Sequence, residues 1–467
     1  MVAELASNTA VGSVAGRGAD VPHRLALRSL GGKRGLVVWL IAAFTLAWCG
    51  LAEAGPKIES WQTERGTKVL FVNAPDLPMV DVRVVFDAGS ARDLKLPGLA
   101  RITNALLTEG AGDWDADALA LRVEERGIIL GNGSLRDMAW VSLRSLTEPE
   151  VLDVALDTAG TVLKSPRFDA DAVARVRQQL QIGLRRSLQS PSSVAKRRFF
   201  HTLYADHPYA HDPGGEEGSL AEISVEDIKR FHRRYYVAAN AVVAIVGAVD
   251  RAQAEQIAER LTGQLPTGQH AAALPEVPPV SGGELRESFP SSQSHIYVGQ
   301  SGMARHDPDY FALYVGNHVL GGGGLVSTLG EEVRNKRGLS YSVYSYFSPM
   351  RMDGPFLMVA QTKNEQAEQA LNVMRETLAR FVDEGPDSQE LEDAKQNLIG
   401  GFPLRISSNS KIVEYLSMMA FYDYPLDWFD TLPDKLAAVT AEQVRDAFSR
   451  RINATAGIAV IVGGNGS

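Results

Sequence analysis

The feature of this 467-residue sequence that most constrains its fold is an internal repeat. Ser224-Val-Glu-Asp-Ile228 precedes Ala244-Ile-Val-Gly247, and Thr440-Ala-Glu-Gln-Val444 precedes Val460-Ile-Val-Gly463, at a constant offset of 216 residues. In both copies a Ser or Thr that can cap a helix is followed two positions later by an acidic residue, and a β-branched run then ends at glycine. The repeat predicts two copies of one α+β domain.

The segment between the two copies has the composition of a linker. Residues 262–284 are rich in Pro and Gly and show neither helix nor strand periodicity. We therefore expect an N-terminal domain over residues 55–261 and a C-terminal domain over residues 285–467. A second repeated pair, Gln179–Gly183 and Gln396–Gly400, recurs at an offset of 217 residues and supports the duplication.

The first half contains strands and helices in close succession. The predicted elements are strands over 68–73, 80–87 and 138–146, and helices over 98–109 and 115–126, the second ending at Gly127. Strands so close in the sequence predict hairpins, and hence an antiparallel sheet with helices packed on it. The two strands over 68–73 and 80–87 are expected to be neighbours.

The N-terminal region, residues 1–54, resembles a secretory signal. Four basic residues precede an uncharged apolar run over 36–51, and Ala52-Glu53-Ala54 provides small residues for cleavage before Gly55. The run is shorter than the roughly 20 residues that a membrane-spanning helix needs. The sequence predicts an exported, periplasmic protein without a membrane span after cleavage; the alternative is an N-terminal membrane anchor.

Cysteine content and charge exclude two classes of function. Cys49 is the only cysteine and would be lost on cleavage, which leaves no thiolate for catalysis and no disulfide. Residues 1–54 hold 5 of the 47 basic and 3 of the 56 acidic residues, so the processed chain would carry a net charge of −11. An acidic balance argues against a general nucleic-acid binder.

Residues 86–110 carry a resemblance to a known family. A strand ending in Phe86-Asp-Ala-Gly-Ser90 is followed by Gly98-Leu-Ala100, which opens a helix, and by Gly110. This pattern resembles the zinc segment G-x-A-H-x-x-E-H of insulinase (pitrilysin) metallopeptidases. In that family two imidazoles hold the metal, and the Glu polarises the attacking water.

In this sequence the three positions of that motif are Arg101, Asn104 and Ala105, none of which can take the family's roles. The family's third ligand, a Glu on a later helix, would fall around Gln178 to Arg185, yet residues 151–215 contain no glutamate. The resemblance therefore implies a degenerate zinc site, with no metal and no catalytic residue in this chain alone.

A histidine cluster offers an alternative metal site. His201, His207 and His211 lie close together, and the last two have the spacing of one helical turn. Pro208 lies between them and breaks such a helix, so their rings need not share a face. A solvated loop is the expected role of this segment.

The second half is similar to the processing-peptidase branch of the same family. A helix from Asp309-Tyr310 leads into Gly321, Gly322, Gly323 and Gly324, and a Glu-rich helix follows with Arg334 seven residues before Tyr341. In that branch the Arg and the Tyr face the zinc across a cavity, which implies that these two residues and the four glycines bind substrate. No Lys-Ser/Thr follows the glycines, so a flexible backbone ribbon that hydrogen-bonds a peptide is favoured over a phosphate loop.

The chemistry of this pair suits peptide hydrolysis. A guanidinium can grip a peptide carbonyl with two donors, and a phenol can donate to the oxyanion formed on attack. Gly338 lets the helix that carries Arg334 end and return Tyr341 on a strand. The alternative is a structural role, with Arg334 exposed near Glu331 and Tyr341 packed on its sheet.

The resemblance implies two facing α+β domains, arranged like a clam shell, in one subunit of a heterodimeric peptidase. A homologous subunit with an intact motif would supply the zinc, and short or unfolded peptides would be the substrates. A purely structural or scaffolding subunit is the main alternative. An active hydrolase that uses the histidine cluster is a third.

Overall fold

The computed structural model describes residues 56–279 and 282–464, of which residues from Ile58 onward belong to one unit. The predicted signal region, residues 1–54, lies outside these ranges. In the described part of the chain, no helix has the length and apolar character needed to cross a membrane.

In each half of the described chain, a run of five α-helices lies between two of the strands. The strands are β1 Glu59–Gln62, β2 Lys68–Asn73, β3 Met79–Phe86, β4 Gly110–Ala111, β5 Trp114–Asp115, β6 Ile129–Ser134, β7 Ala139–Leu146, β8 Ala241–Gly247, β9 Gly283–Glu287, β10 Gln293–Met303, β11 Ser340–Phe347, β12 Gly354–Lys363 and β13 Ile458–Val462. The α-helices are α1 Leu99–Ala105, α2 Ala116–Glu124, α3 Pro149–Lys164, α4 Ala170–Ser187, α5 Pro191–Tyr204, α6 Glu217–Glu222, α7 Val225–Tyr235, α8 Arg251–Thr262, α9 Tyr310–Asn317, α10 Ala367–Glu384, α11 Ser388–Arg405, α12 Asn409–Phe421, α13 Trp428–Ala437 and α14 Ala441–Arg451.

The two large sheets share one topology. The first has the order β1-β2-β8-β3-β7-β6, and the second, taken from its other edge, has the order β9-β13-β10-β12-β11. Strand β2 pairs with β8 in parallel, as β9 does with β13, and the remaining pairs in both sheets are antiparallel. Apart from the extra strand β1, each strand of one sheet thus has a counterpart in the other. The predicted α+β fold with two duplicated domains is confirmed.

One predicted pairing is wrong. Strands β2 and β3 follow each other in the sequence but are not neighbours, because β8 lies between them and pairs with both. Strands β2 and β8 are far apart in the sequence, so no local sequence pattern predicts their parallel pairing. A parallel pair needs a long connection, here the whole helical region of the first half.

The repeated motifs form equivalent capped helices. In α7, Ser224 Oγ accepts from the Asp227 N–H (3.1 Å), and the Asp227 carboxylate accepts from the Ser224 N–H (3.0 Å). In α14, Thr440 Oγ1 accepts from the Gln443 N–H (3.1 Å), and the Gln443 side chain returns the bond at 3.0 Å. These capping boxes satisfy N–H groups that a helix start otherwise leaves unpaired, which confirms the sequence prediction at both positions.

Each half contributes a helix to the sheet of the other half. Helix α5 packs on β10 and β13 of the second sheet, while α12 packs on β2, β3 and β8 of the first. Phe199 and Leu203 of α5 are buried with Tyr297 and Val460, whereas Leu416 of α12 is buried with strand residues of the first sheet. The apolar cores of the two halves therefore depend on each other.

A buried carboxylate also connects the halves. Asp137 accepts hydrogen bonds from the Tyr209 hydroxyl (2.5 Å), the Tyr422 hydroxyl (2.8 Å) and the main-chain N–H of Arg351 (2.8 Å). Burial raises the pKa of Tyr209 and Tyr422, so both remain protonated donors. Between α8 and β9, the described residues contain no helix or strand, and β9 begins at Gly283, inside the predicted linker range 262–284.

Candidate functional site

Helix α1 has a tightly specified start. Gly98 adopts a positive φ of 97°, and a Cβ there would lie 2.8 Å from the Leu220 side chain, so the position favours glycine. The buried Asp93 carboxyl accepts from the N–H groups of Gly98 and Ala100, both at 2.7 Å. Burial raises the pKa of Asp93 to about 8, against the effect of these two bonds.

The position of the family's catalytic Glu is occupied by a structural amide. Asn104 is 1 % exposed, and its Nδ2 donates to the Trp140 carbonyl (3.1 Å) and the Tyr236 hydroxyl (3.2 Å). The main-chain carbonyl of Asn104 accepts from Asn132 Nδ2 of β6 at 2.9 Å. A side-chain amide cannot act as a general base, and this one already connects α1 to β7 and to Tyr236, the residue that follows α7.

The two histidine positions are filled by residues of different exposure. Arg101 is exposed and Ala105 is half-buried, while α4, which packs against α1, presents the exposed Gln178 and Arg185 where the family carries its third ligand. Over residues 56–279 and 282–464, no three His, Cys, Asp or Glu side chains are grouped so that they could hold a metal ion.

The histidines of the second candidate site do not converge. His207 is buried, its Nδ1 accepts from the Tyr209 N–H (3.1 Å), and its Nε2 donates to the Pro275 carbonyl (3.0 Å). His211 instead lies 3.2 Å from Glu216, and His201 is exposed on α5. The expected solvated loop is wrong for His207 and Tyr209, because this turn is buried where the two halves meet.

The glycine-rich segment is helical rather than a flexible ribbon. Helix α9 continues as a π-helix over His318–Gly322, a 3-10 turn follows over Gly324–Val326, and a second π-helix covers Gly330–Asn335. A Cβ at Gly321 would lie 2.3 Å from Ser345 Oγ, so this glycine lets the π-helix pack directly on β11. Gly324 has a φ of 68° and open space around it. Isolated π-helical turns occur frequently at functional sites.

Tyr341 is the extra residue of a β-bulge. Ser340 pairs with Thr362 and Ser342 with Gln361, which leaves Tyr341 without a partner across β12. A bulge redirects a side chain, and Tyr341 is 81 % exposed. Strand β11 is also an edge of its sheet, so its outer backbone groups face no other strand of that sheet.

The structure brings Arg334 to Tyr341, with the guanidinium carbon 4.8 Å from the centre of the ring. The neighbouring carboxylates have other partners: Glu331 accepts from the Asn335 amide, and Glu332 forms ion pairs with Lys336, Arg337 and Arg380. These donors lower the pKa of Glu332 to about 2. By contrast, within the part of the chain that the structure describes, no ion pair or side-chain hydrogen bond engages the Arg334 guanidinium.

Three further side chains around this pair were not predicted from the sequence. Leu325 and Val326 are exposed on the 3-10 turn, Val326 at 91 %, and Tyr344 is partly exposed on β11. Burial of part of its ring raises the pKa of Tyr344 to about 12, so the hydroxyl stays protonated. The closely spaced tyrosines of β11 could have indicated this surface from the sequence. Nothing in the sequence indicated that Val326 is exposed. The degenerate zinc positions belong to α1, in the other half of the chain.

Comparisons with known proteins cover most of the chain. Residues 68–212 match the family model described as Insulinase (Peptidase family M16), and residues 222–398 match the model described as Peptidase M16 inactive domain. The non-peptidase homolog YmxG of Helicobacter pylori is 26% identical over 377 residues, covering 79% of this chain and 85% of that protein. The uncharacterized zinc protease YmxG of Bacillus subtilis is 23% identical over 357 residues, covering 76% of this chain and 86% of that protein.

A solved structure is similar over nearly its whole length. The peptidase M16 inactive domain from Pseudomonas fluorescens superposes with a TM-score of 0.85 at 38% sequence identity, covering 88% of this chain and 98% of that one.

Proposed function

Since this chain belongs to the insulinase (M16) peptidase family and is an inactive member of it, we propose that it is the substrate-binding subunit of a heterodimeric periplasmic zinc peptidase. A homologous subunit with an intact zinc motif would supply the metal and the general base. This chain would supply a surface that holds the peptide and a donor for the oxyanion.

The residues of α1 and α4 support a non-catalytic role. Arg101, Asn104 and Ala105 replace the histidines and glutamate of the motif, and Asn104 is committed to hydrogen bonds within the core. No carboxylate from α4 completes a metal site. A zinc ion would therefore have to come from another chain.

The observation that carries the proposal is the arrangement of Arg334 and Tyr341. The guanidinium is free of carboxylate partners among the described residues, and the phenol is held away from the sheet by the bulge. A free guanidinium can donate twice to a peptide carbonyl, and a preorganised phenol can stabilise a developing oxyanion. Both groups are retained in a chain that has lost its own metal ligands.

The edge position of β11 supports a peptide as the ligand. Unpaired N–H and C=O groups on an edge strand can bind an extended peptide as an added strand. At Ser345 this edge is already covered, because the π-helix packs on its N–H and Asn317 Nδ2 donates to its carbonyl at 3.2 Å, so an added strand would pair on the Tyr341 side. Tyr344 and Val326 offer exposed apolar surface beside that edge. An unfolded or short peptide is the ligand that fits such a surface.

Export is supported by the basic, apolar and small residues that precede Gly55. N-terminal sequencing of the protein from its native cell envelope should begin at Gly55. A cytosolic product that retains residues before Leu36 would contradict the periplasmic part of the proposal.

Purified alone, the chain should contain no stoichiometric zinc and cleave no peptide. Elemental analysis and a peptide cleavage assay measure both. About one tightly held zinc per chain would contradict a non-catalytic role.

Assembly with the zinc-bearing subunit tests the role of the pair. Tyr341→Phe should lower turnover about a hundredfold to a thousandfold, as expected for loss of one oxyanion donor, without changing assembly. Arg334→Ala should weaken peptide binding, because its contact already exists in the ground state. Tyr235→Phe, the same change at a partly exposed tyrosine of α7 in the first half, is the matched control and should keep near wild-type turnover. Full activity of both Tyr341→Phe and Arg334→Ala would favour the scaffolding role instead.

A further inference from the structure

A basic segment lies next to the degenerate zinc positions. Residues 164–205 contain nine Lys or Arg, two Asp and no Glu, although the chain as a whole carries a net charge of −9. This segment comprises α4 and α5, and α4 packs directly against α1. Cations are therefore concentrated where related peptidases hold a metal dication.

The contacts at both ends of α1 show that α4 runs antiparallel to it. Glu109, just beyond the end of α1, pairs with Arg175 near the start of α4 at 2.5 Å. A Cβ at Gly98, at the start of α1, would lie 3.0 Å from Gly215 Cα. The Gly215 carbonyl accepts at 3.3 Å from Arg197 of α5, the helix that comes after α4 in the chain.

This orientation places Arg101 beside the C-terminal half of α4. Arg101 precedes Glu109 by eight residues, about 14 Å along the last turn of α1 and the 3-10 turn that follows it over Leu106–Thr108. The same distance along an antiparallel α4, measured from Arg175, is about nine residues and ends near residue 184. This geometry puts Arg101 and Arg185 at about the same level of the helix pair, and both are exposed.

The cations of this region differ in whether they are neutralised. Arg175 pairs with Glu109, Arg197 lies 3.5 Å from Asp212, and Arg198 pairs with Glu287. In the described ranges, by contrast, neither Arg101 nor Arg185 has a carboxylate partner. Two exposed guanidinium groups without counter-charges are suited to a ligand that brings its own carboxylates.

We propose that Arg101 and Arg185 form an anion subsite that binds a carboxylate of the peptide, so that this subunit selects acidic peptides. The inference rests on the proposed function, because it names the class of peptide that the subunit would hold. The guanidinium groups would supply positive charge where related peptidases have the metal ion. They can bind and orient an anion, but they cannot activate a water molecule as the metal does. A nucleic acid is disfavoured as the ligand by the acidic character of the rest of the chain.

Binding of two matched peptides to the full chain tests the subsite. The probes are a fluorescent twelve-residue Gly/Ser/Ala peptide with three Glu residues and its counterpart with three Gln residues, compared by anisotropy at low salt. The Glu peptide should bind about tenfold more tightly, as expected for charge-assisted bonds at an exposed site. The double variant Arg101→Glu, Arg185→Glu should remove this preference. The double variant Arg65→Glu, Arg445→Glu makes an equal charge change at two exposed positions outside α1 and α4, and it should retain the preference.

The outcomes separate the subsite from the proposed function. Equal binding of the two peptides by wild-type chain, with weaker binding of both by Arg334→Ala, would overturn the subsite alone. Failure of both peptides to bind would count against the proposed function and the subsite together. A single-stranded oligonucleotide that displaces the Glu peptide at a lower concentration than unlabelled Glu peptide would overturn the acidic-peptide assignment.

Discussion

The two halves contain the same helix–glycine–strand corner, with different consequences. In the first half the corner turns at Gly127 (φ 64°), and in the second at Gly338 (φ 62°). The next residue is buried in both: the Ile128 N–H donates to the Val123 carbonyl at 3.0 Å, and the Leu339 N–H donates to the Val333 carbonyl at 2.9 Å. The local chemistry of the corner is therefore shared.

The corners differ in the strand that follows. Strand β6 pairs with β7 residue by residue, whereas β11 has one extra residue opposite β12, at Tyr341. The helix before the turn is an ordinary α-helix in the first half and a π-helix in the second. A single inserted residue on an edge strand thus separates a structural corner from a candidate binding site.

The cores of the halves differ at one equivalent position as well. His232 of α7 corresponds to Phe448 of α14 at the repeat offset of 216. His232 is buried, and its Nε2 donates to the Leu163 carbonyl at 3.0 Å; Phe448 is also buried but has no polar atom. At this position the first half therefore has a titratable group and the second half does not.

Deletion of Tyr341 should give the second corner the uninterrupted strand pairing that follows the first corner. The deletion leaves Ser340 and Ser342 in uninterrupted register with Thr362 and Gln361, so the fold should be kept. In the assembled complex, turnover should fall about a hundredfold to a thousandfold, like that of a variant lacking an oxyanion donor. Circular dichroism and activity are the measurements. A folded, assembled and fully active deletion variant would show that the bulge has no role in function.

Acid should destabilise the chain through His232. Burial lowers the pKa of His232 to about 4, while in the unfolded chain the group titrates near 6.5. Between these values the unfolded state binds the extra proton, so stability falls as pH decreases from about 6.5 to 4, by up to about 3 kcal/mol. Urea unfolding across this range measures the slope. His232→Phe, which copies the second half, should reduce the slope whatever the stability of the variant at neutral pH, and the rest of the slope should come from His207, His295 and His318, whose pKa values are also lowered by burial. An unchanged slope would exclude His232 as a contributor.

Gly321→Ala should disrupt the packing of the π-helix on β11. The added methyl would meet Ser345 Oγ and N at 2.3 and 2.5 Å, and a backbone neighbour cannot move aside as a flexible side chain can. A loss of about 1–3 kcal/mol in the free energy of unfolding is expected for such overpacking. Denaturant unfolding measures it, and a cost near zero would mean that β11 and the π-helix can separate without penalty.

The smallest effect is expected where the two halves agree. Gly183 of α4 and Gly400 of α11 are equivalent, exposed, and have no neighbouring atom within 4 Å of an added Cβ. Each Gly→Ala substitution should stabilise the chain by about 0.5–1 kcal/mol, because alanine has the higher helix propensity. Thermal unfolding of the two single variants is the test. A stabilising effect in only one half would indicate that the helices have diverged in their surroundings.

Features set by short-range chemistry were predictable. The capping residues Ser224 and Thr440, the turn at Gly338 and the duplication all follow from patterns within a few residues, and all are present in the structure. The pairing of β2 with β8 was not predictable, because it joins segments about 170 residues apart. The packing of α5 and α12 on the sheet of the opposite half was not predictable either. The apolar face of a helix indicates that the helix is buried, but it does not indicate which sheet the helix packs on.

The sequence by itself determined that α1 cannot carry the family's zinc site, because Ala105 has no donor atom and Arg101 no free lone pair in any conformation. It also placed Arg334 and Tyr341 on either side of a glycine turn. Only the tertiary structure decided that Asn104 and His207 are buried in hydrogen bonds, and that Tyr341 is bulged outward from an edge strand. The physical reason is that residue identity limits what a side chain can do, whereas burial, strand register and charge partners depend on contacts with distant parts of the chain.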